Sequence, residues 1–257
     1  MDFQKASKLA SHFQFVEETG STNSDLVNQA QNLPDFSVLV AGFQSAGRGR
    51  SGRQWQAPAG SSLFVSVLLK PQYLSAAKMS WLPLLAGLAI CKSINELSPS
   101  KPATLKWPND VLIENNKISG VLSELVADLS GVVIGAGINI KQEKADLPIE
   151  NATSLNIELG RLPDYDEVLS LYLKHLRELY DAYVGHGGDA VQCGLRFQVM
   201  SNCQTLGLRV KAIMPGDKEV LGEAVGIDDS GRLILLPDGS KSVLAVAAGD
   251  IVHLRHN

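Results

Sequence analysis

Residues Gly47 to Trp55 read GRGRSGRQW. Gly47, Gly49 and Gly52 spell G-x-G-x-x-G, the letters of a dinucleotide-binding turn. That turn needs a strand before it, a helix opening directly after it, and an acid about 20 residues on for the ribose. The strand is present: Ser37 to Gln44, SVLVAGFQ, is an apolar, β-branched run. The helix is not. After Gly52 the sequence RQWQAPAGSSLFVSVLL runs through Pro58 and Gly60 into a second strand, Ser61 to Lys70. The acid is missing as well, since none occurs between Gly52 and Glu96. A strand, an arginine-rich loop and another strand do not make a dinucleotide fold.

The loop lies in a span of one-sided charge. From Phe36 to Asn95 there is no Asp or Glu, while Arg48, Arg50, Arg53, Lys70, Lys78 and Lys92 give +6 in a chain of net charge −4. Such a field suits an anionic ligand. A chance gap filled by strands and a buried helix is the plainer reading, and it weighs more for the three lysines than for the clustered arginines. Glycines allow a close backbone approach, arginine forks grip phosphate oxygens bidentately, and Trp55 offers a face on which a base can stack. The competing reading is a solvated loop with Trp55 anchored in the core.

Composition fits one larger and one smaller domain: 257 residues, 45% apolar and 19% charged. The negative balance argues against general nucleic-acid binding. Cys91, Cys193 and Cys203 form no CxxC pair, so neither a zinc site nor a disulfide framework is indicated, and a reducing cytoplasm fits. The start, MDFQKASKLASHFQ, lacks the layout of a signal peptide. The apolar stretch Trp81 to Cys91 is short of the roughly 20 residues a bilayer needs. The expectation is a soluble cytoplasmic protein with neither DNA nor membrane as partner.

Around the loop the chain alternates strands and helices in an α+β manner. GSTNSDLVNQAQNL reads as a helix capped near Ser21 and Thr22. SAAKMSWLPLLAGLAICKSINEL reads as one largely buried helix despite Pro83. ATLKWPNDVLIENNKISGVLSELVAD reads as two strands around a turn at Asn115 and Asn116. GVVIGAGINI is a buried strand with glycines at its end, and DYDEVLSLYLKHLRELYDAYV has apolar residues at helical spacing. After Thr205, short strands divided by Pro-Gly-Asp, Asp-Ser-Gly and Asp-Gly turns suggest a small β-barrel. The expected division is 1–204 and 205–257.

The second unusual stretch is LKWPNDV, Leu105 to Val111. Lys106 ends an apolar strand beside Trp107, where partial desolvation strengthens its pull on phosphate or carboxylate. A snorkelling lysine, with Asp110 capping the turn, is the alternative.

GRGRSGRQW and KWPND, preceded by STN at Ser21 to Asn23, resemble the biotin protein ligases. NKISGVLSE from Asn116, IGAGINI at Ile134 to Ile140, and GIDDSGRLILLPDG with AAGDIVHLR near the end agree in order along the chain. The resemblance covers essentially everything from Phe15. It implies a mixed-sheet catalytic domain of the class II synthetase and lipoate ligase kind, with an SH3-like C-terminal barrel. Some members carry an N-terminal helix-turn-helix; about fifteen residues precede the domain here, so the monofunctional class is expected.

The implied reaction joins ATP and biotin into biotinyl-5′-AMP, then passes biotin to a lysine of the biotin carboxyl carrier protein of a carboxylase. By resemblance, Ser21, Thr22, Asn23 and Gln44 hydrogen-bond the ureido ring, and backbone around Arg48, Gly49 and Arg50 closes over the ligand. Lys106 contacts the biotin carboxylate and the α-phosphate, Arg50 and Arg53 grip phosphates, and Trp55 stacks with adenine. Asn139 contacts the nucleotide, and Lys117 is a weaker phosphate candidate. Gly120, Gly135 and Gly137 read equally as openings for backbone and as strand bulges.

Mg²⁺ is expected on the phosphates, and no residue is read as a metal ligand. The five histidines lie outside GRGRSGRQW and KWPND. Asp110 either serves as a base for the acceptor lysine or only caps its turn. The family includes monomers and homodimers, and both stay open. A lipoate or octanoate ligase is the nearest alternative; a non-catalytic anionic-nucleotide module is the other.

Overall fold

Seven strands make one mixed sheet: β1 (His12–Thr19), β2 (Ser37–Gln44), β3 (Ser62–Leu69), β4 (Ala103–Lys106), β5 (Asp110–Ile113), β6 (Asn116–Leu125) and β7 (Val132–Asn139). Their order is β1-β2-β3-β7-β6-β5-β4, with β1 and β2 parallel and the other neighbours antiparallel. The computed structural model describes residues 1–72, 74–97, 101–147, 149–214, 216, 218–247 and 249–254. All eight residues of β3 are buried, as an apolar run without alternation requires of a strand covered on both faces. At the edge, β1 shows only exposed and half-buried positions.

The helices are α1 (Thr22–Gln29), α2 (Ala76–Met79), α3 (Leu82–Leu97), α4 (Leu155–Leu159), α5 (Tyr165–Gly185) and α6 (Leu195–Ser201). α5 buries Leu169, Tyr172, Leu176 and Tyr183 at helical spacing and packs on α3. Asp164 caps it by accepting from the Asp166 N–H. The single helix expected from Ser75 is two. The break falls at Ser80 and Trp81, which places Pro83 in the first turn of α3, where its missing N–H costs nothing. Ala77–Leu97 is long and apolar enough to cross a bilayer by length and composition, yet 72% of its most apolar window is buried inside the fold.

Three further expectations are corrected. The stretch from Ala103 forms three strands, not two, because Pro108 interrupts the ladder between β4 and β5. The β5–β6 turn falls on Glu114 and Asn115, with Ile113 paired to Asn116 and Glu114 at φ 56°. The glycines of β7 lie within the strand rather than at its end.

The chain ends in an antiparallel five-stranded sheet of β8 (Arg209–Met214), β9 (Lys218–Ile227), β10 (Leu233–Pro237), β11 (Leu244–Val246) and β12 (Asp250–His253), in the order β11-β10-β9-β8-β12. Pro215, Asp217, Ala248 and Arg255, which belong to motifs named above, lie outside the described residues, as does His256. The junction is tight. Gln204 N–H donates to the Leu105 carbonyl (2.8 Å), and Trp107 N–H donates to Thr205 Oγ1 (3.0 Å). Two indoles grip one turn of this sheet, Trp81 donating to the Asp229 carbonyl (2.8 Å) and Trp107 to that of Gly231 (3.0 Å).

Candidate active site

The arginine loop is a small hairpin. Arg48 bridges Gln54, Gly49 N–H donates to the Arg53 carbonyl (2.7 Å), and Trp55 N–H donates to that of Gly47 (2.9 Å). Its tip is one 3-10 turn, Arg50–Gly52, with Ser51 and Gly52 left-handed. Gly49 is extended rather than left-handed. The glycine spacing thus reads as hairpin geometry.

Each arginine has a distinct partner. Arg48 pairs with Glu124 of β6 at 2.7 Å. Arg50 donates to Asn109 Oδ1 (2.9 Å) and to the Gly249 carbonyl (3.0 Å), and burial lowers its pKa against the pull of Asp250 and Asp110. Arg53 holds both carboxylate oxygens of Asp250 at 2.7 Å. Lys70 and Lys78 of the same one-sided span hydrogen-bond the Leu33 and Gly187 carbonyls instead. For those two lysines the plainer reading of the charge gap holds.

Trp55 lies flat over the sheet, across β6 and β7. A Cβ on Gly137 would meet its Cε2 at 2.6 Å, and one on Gly120 its Cζ3 at 2.9 Å. These glycines make room for an indole rather than for ligand backbone. Gly135 does the same for Asn23, whose Oδ1 would collide with a Cβ there. Lys117 Nζ stands 5.3 Å from the Trp55 ring centroid and pairs with Asp110 at 2.7 Å. The buried Trp55 Nε1 has no partner among the described residues.

On one side of Trp55 is a polar pocket of about 30 Å³ lined by Ser21, Thr22, Asn23, Gln44 and Arg48. Gln44 Oε1 accepts from the Thr22 N–H (2.8 Å) and approaches its hydroxyl (3.0 Å), so a strand side chain satisfies the first donor of α1. Ser66 of β3, fully buried, lies 2.8 Å from Thr22 Oγ1 and 2.6 Å from Asn23 Oδ1. Asn23 Nδ2 donates to Glu124 (2.9 Å), which ties the pocket floor to Arg48.

On the other side is a cavity of about 450 Å³ whose lining includes Arg50, Arg53, Lys106, Asp110, Lys117 and Asn139. Lys106 faces Asp110 across the β4–β5 pair. Among the described residues its ammonium has no ion pair or hydrogen bond. Burial lowers its pKa; Asp110 opposes this and Lys117 adds to it. Asn139 donates to the Thr153 carbonyl (2.9 Å) and accepts from Gln142 (3.2 Å). Among the described residues no three His, Cys, Asp or Glu side chains gather to hold a metal ion.

Of the histidines, His175 pairs with Glu96 and Glu178, and His186 bonds the Ala182 carbonyl. His253 reaches Thr205 Oγ1 at 3.1 Å, and burial, helped by Lys106, pushes its pKa down to about 4. Ser66, Asn109, Glu124 and Asp250 were not singled out from the sequence. Their partners are distant in the chain, and three of them sit inside motifs valued for other letters.

Residues 12–139 match the biotin/lipoate A/B protein ligase family, and residues 205–254 match the biotin protein ligase C-terminal domain. The Biotin--[acetyl-CoA-carboxylase] ligase of Mycobacterium tuberculosis is 39% identical over 93% of this chain and 88% of its own length. The chain belongs to the biotin protein ligase family. The Bifunctional ligase/repressor BirA of Escherichia coli is 31% identical over 85% of this chain and 67% of its own length. A solved biotin protein ligase from Aquifex aeolicus, in complex with biotin and ATP, aligns with TM-score 0.80 and 29% identity, covering 96% of this chain and 100% of its own. The mixed sheet followed by a separate antiparallel sheet agrees with biotin protein ligase architecture.

Proposed function

We propose that this chain joins biotin to protein in two steps. ATP and biotin form biotinyl-5′-AMP and pyrophosphate. A lysine amine of a biotin carboxyl carrier protein then attacks the mixed anhydride and AMP leaves. The supporting observation is the adjacency of two unlike spaces that share Arg48, Trp55, Gly120 and Leu122: a small pocket with amide and hydroxyl groups on its lining, and a larger cavity bearing a lysine with no partner among the described residues. The first suits a neutral ureido ring. The second suits a carboxylate meeting a triphosphate.

Lys106 carries the chemistry in this reading. Its ammonium is half-desolvated and uncommitted, so it stabilises charge shared between the biotin carboxylate and the α-phosphate. Arg50 and Arg53 hold phosphates, Trp55 presents its face to adenine, and Asn139 and Lys117 border the nucleotide. Ser21, Thr22, Asn23 and Gln44 orient the biotin head, with Arg48 to Arg50 closing the loop above it. Among the described residues Asp110 and Asp250 are the carboxylates on the cavity, and each is already paired with a cation. That donor set fits Mg²⁺ arriving on the triphosphate rather than a resident ion. We assign the cytoplasm as its compartment, and 1–204 and 205–257 as its domains.

The lipoate and octanoate alternative is disfavoured by the C-terminal match, whose family is named for biotin alone. Biotin-dependent release of pyrophosphate from ATP tests the proposal. It is expected in the native protein and nearly lost in Lys106→Ala. Normal release from folded Lys106→Ala overturns the role of that lysine.

A further inference from the structure

A second cavity, of about 480 Å³, abuts the first. The two share Arg50, Trp107, Pro108, Asn109, Val121 and Leu122 as a common wall. Asn109 is fixed there by two bonds: its Oδ1 accepts from Arg50 (2.9 Å) and its Nδ2 donates to the Val121 carbonyl (2.8 Å). The outer walls come from three places, namely the α2–α3 region (Ala77, Leu84), the exposed Ala247, and the Ser230–Arg232 turn of the C-terminal sheet. Lys106 does not line this space, and the polar pocket shares only Leu122 with it. Leu122 thus borders all three spaces, and the second cavity meets the Lys106 cavity along a six-residue wall but the polar pocket at that one residue.

We propose that this second cavity is the passage by which the acceptor lysine reaches the reaction centre. The proposal rests on the two-step reading above. Once biotinyl-AMP fills the polar pocket and the Lys106 cavity, a nucleophile needs a separate approach, and the Arg50–Asn109 wall is where the second cavity meets the first. The occupant is the side chain of one lysine carried on another protein. Leu84, Pro83 and Ala77 suit its methylenes.

The charge at the inner end suits its amine. Among the described residues no Asp or Glu lines the cavity, so none of them holds an ammonium there. Arg232, the other cation on the lining, is paired with Asp228 at 2.6 Å. At the inner end a lysine leaves water and meets the Arg50 guanidinium. Both effects favour the neutral amine. The structure thus supplies by desolvation and like charge what the sequence did not supply as a base. In the transfer the amine nitrogen bonds to the acyl carbon, the acyl–oxygen bond to AMP breaks, and AMP leaves with that electron pair. The surplus proton of the amine passes to water.

The test narrows the mouth with Ala77→Trp and, separately, Ala247→Trp, both at exposed positions. Biotin-dependent pyrophosphate release is measured alongside transfer of biotin from preformed adenylate to a carrier domain and to hydroxylamine. Expected are pyrophosphate release within twofold of the native rate, carrier transfer slowed at least tenfold, and hydroxylamine transfer little changed. Far-UV circular dichroism checks folding, and either variant alone suffices. Unchanged carrier transfer in a folded variant overturns the passage, as does an equal loss of hydroxylamine transfer. If the native protein releases no pyrophosphate with biotin, the two-step reading fails instead.

Discussion

Arg53 of the loop hairpin grips Asp250 of the C-terminal sheet through both carboxylate oxygens, at 2.7 Å each. Three residues earlier, Arg50 donates to the carbonyl of Gly249, next to Asp250. The arginines that the sequence offers to phosphate are thus positioned by a part of the chain about two hundred residues away. The side chains of Arg53 and Asp250 are 62% and 38% exposed, so the pair is worth about 0–1 kcal/mol to folding. Its consequence is placement. Asp250→Asn is expected to leave the melting temperature nearly unchanged and to raise KM for ATP roughly three- to tenfold, with KM for biotin unaffected. Steady-state kinetics with each substrate varied in turn decide it.

Lys106 makes a prediction about stability as well as rate. Burial depresses its folded pKa below the unfolded value of 10.5. The unfolded chain therefore binds the proton more tightly, and keeping Lys106 charged in the folded state costs stability at all pH values below the folded pKa. That cost is relieved as pH rises from the folded pKa to 10.5. Lys106→Met is expected to melt at a higher temperature than the native protein at pH 7, with the gap narrowing at alkaline pH. A lower melting temperature at pH 7 contradicts an uncommitted ammonium.

His253 gives the opposite end of the pH scale. Its pKa falls from 6.5 to about 4 through burial first and Lys106 second. The neutral ring is the folded form, so its contribution is complete above pH 6.5 and is lost as pH drops through 4. Between those values the native protein is expected to lose melting temperature more steeply than His253→Gln. Parallel melting curves from pH 4 to 7 count against this.

Gly137 is where the indole of Trp55 touches the sheet. Gly137→Ala inserts a methyl 2.6 Å from Cε2. The ring must lift, since strand backbone moves less readily than a loop side chain. Expected are a red-shifted Trp55 emission, read as the difference from the same protein carrying Trp55→Phe, and a weaker affinity for ATP. The cost in stability is about 1–3 kcal/mol. Unaltered emission and ATP affinity together remove Trp55 from the nucleotide site.

Much of this was legible in the sequence. The unbroken apolar runs of Ser37 to Gln44 and Ser61 to Lys70 give central strands, and the motif letters locate both sides of Trp55. Three things were not legible, each for a physical reason. Glycines 120, 135 and 137 declare only that something comes close, and which side chain does so depends on the loop crossing the sheet. The break before α3 brings Trp81 to the Asp229 carbonyl, a contact spanning 148 residues that no local pattern announces. Asp250 and Glu124 carry no local pattern, because their roles come from arginines brought to them by the fold.

Transfer of biotin, activated by ATP, to a carrier lysine is read by incubating the protein with ATP, a biotin carboxyl carrier domain and either labelled biotin or labelled lipoate, and weighing the intact carrier. One biotin per carrier is expected, dependent on ATP and nearly abolished by Lys106→Ala. Modification by lipoate alone contradicts it.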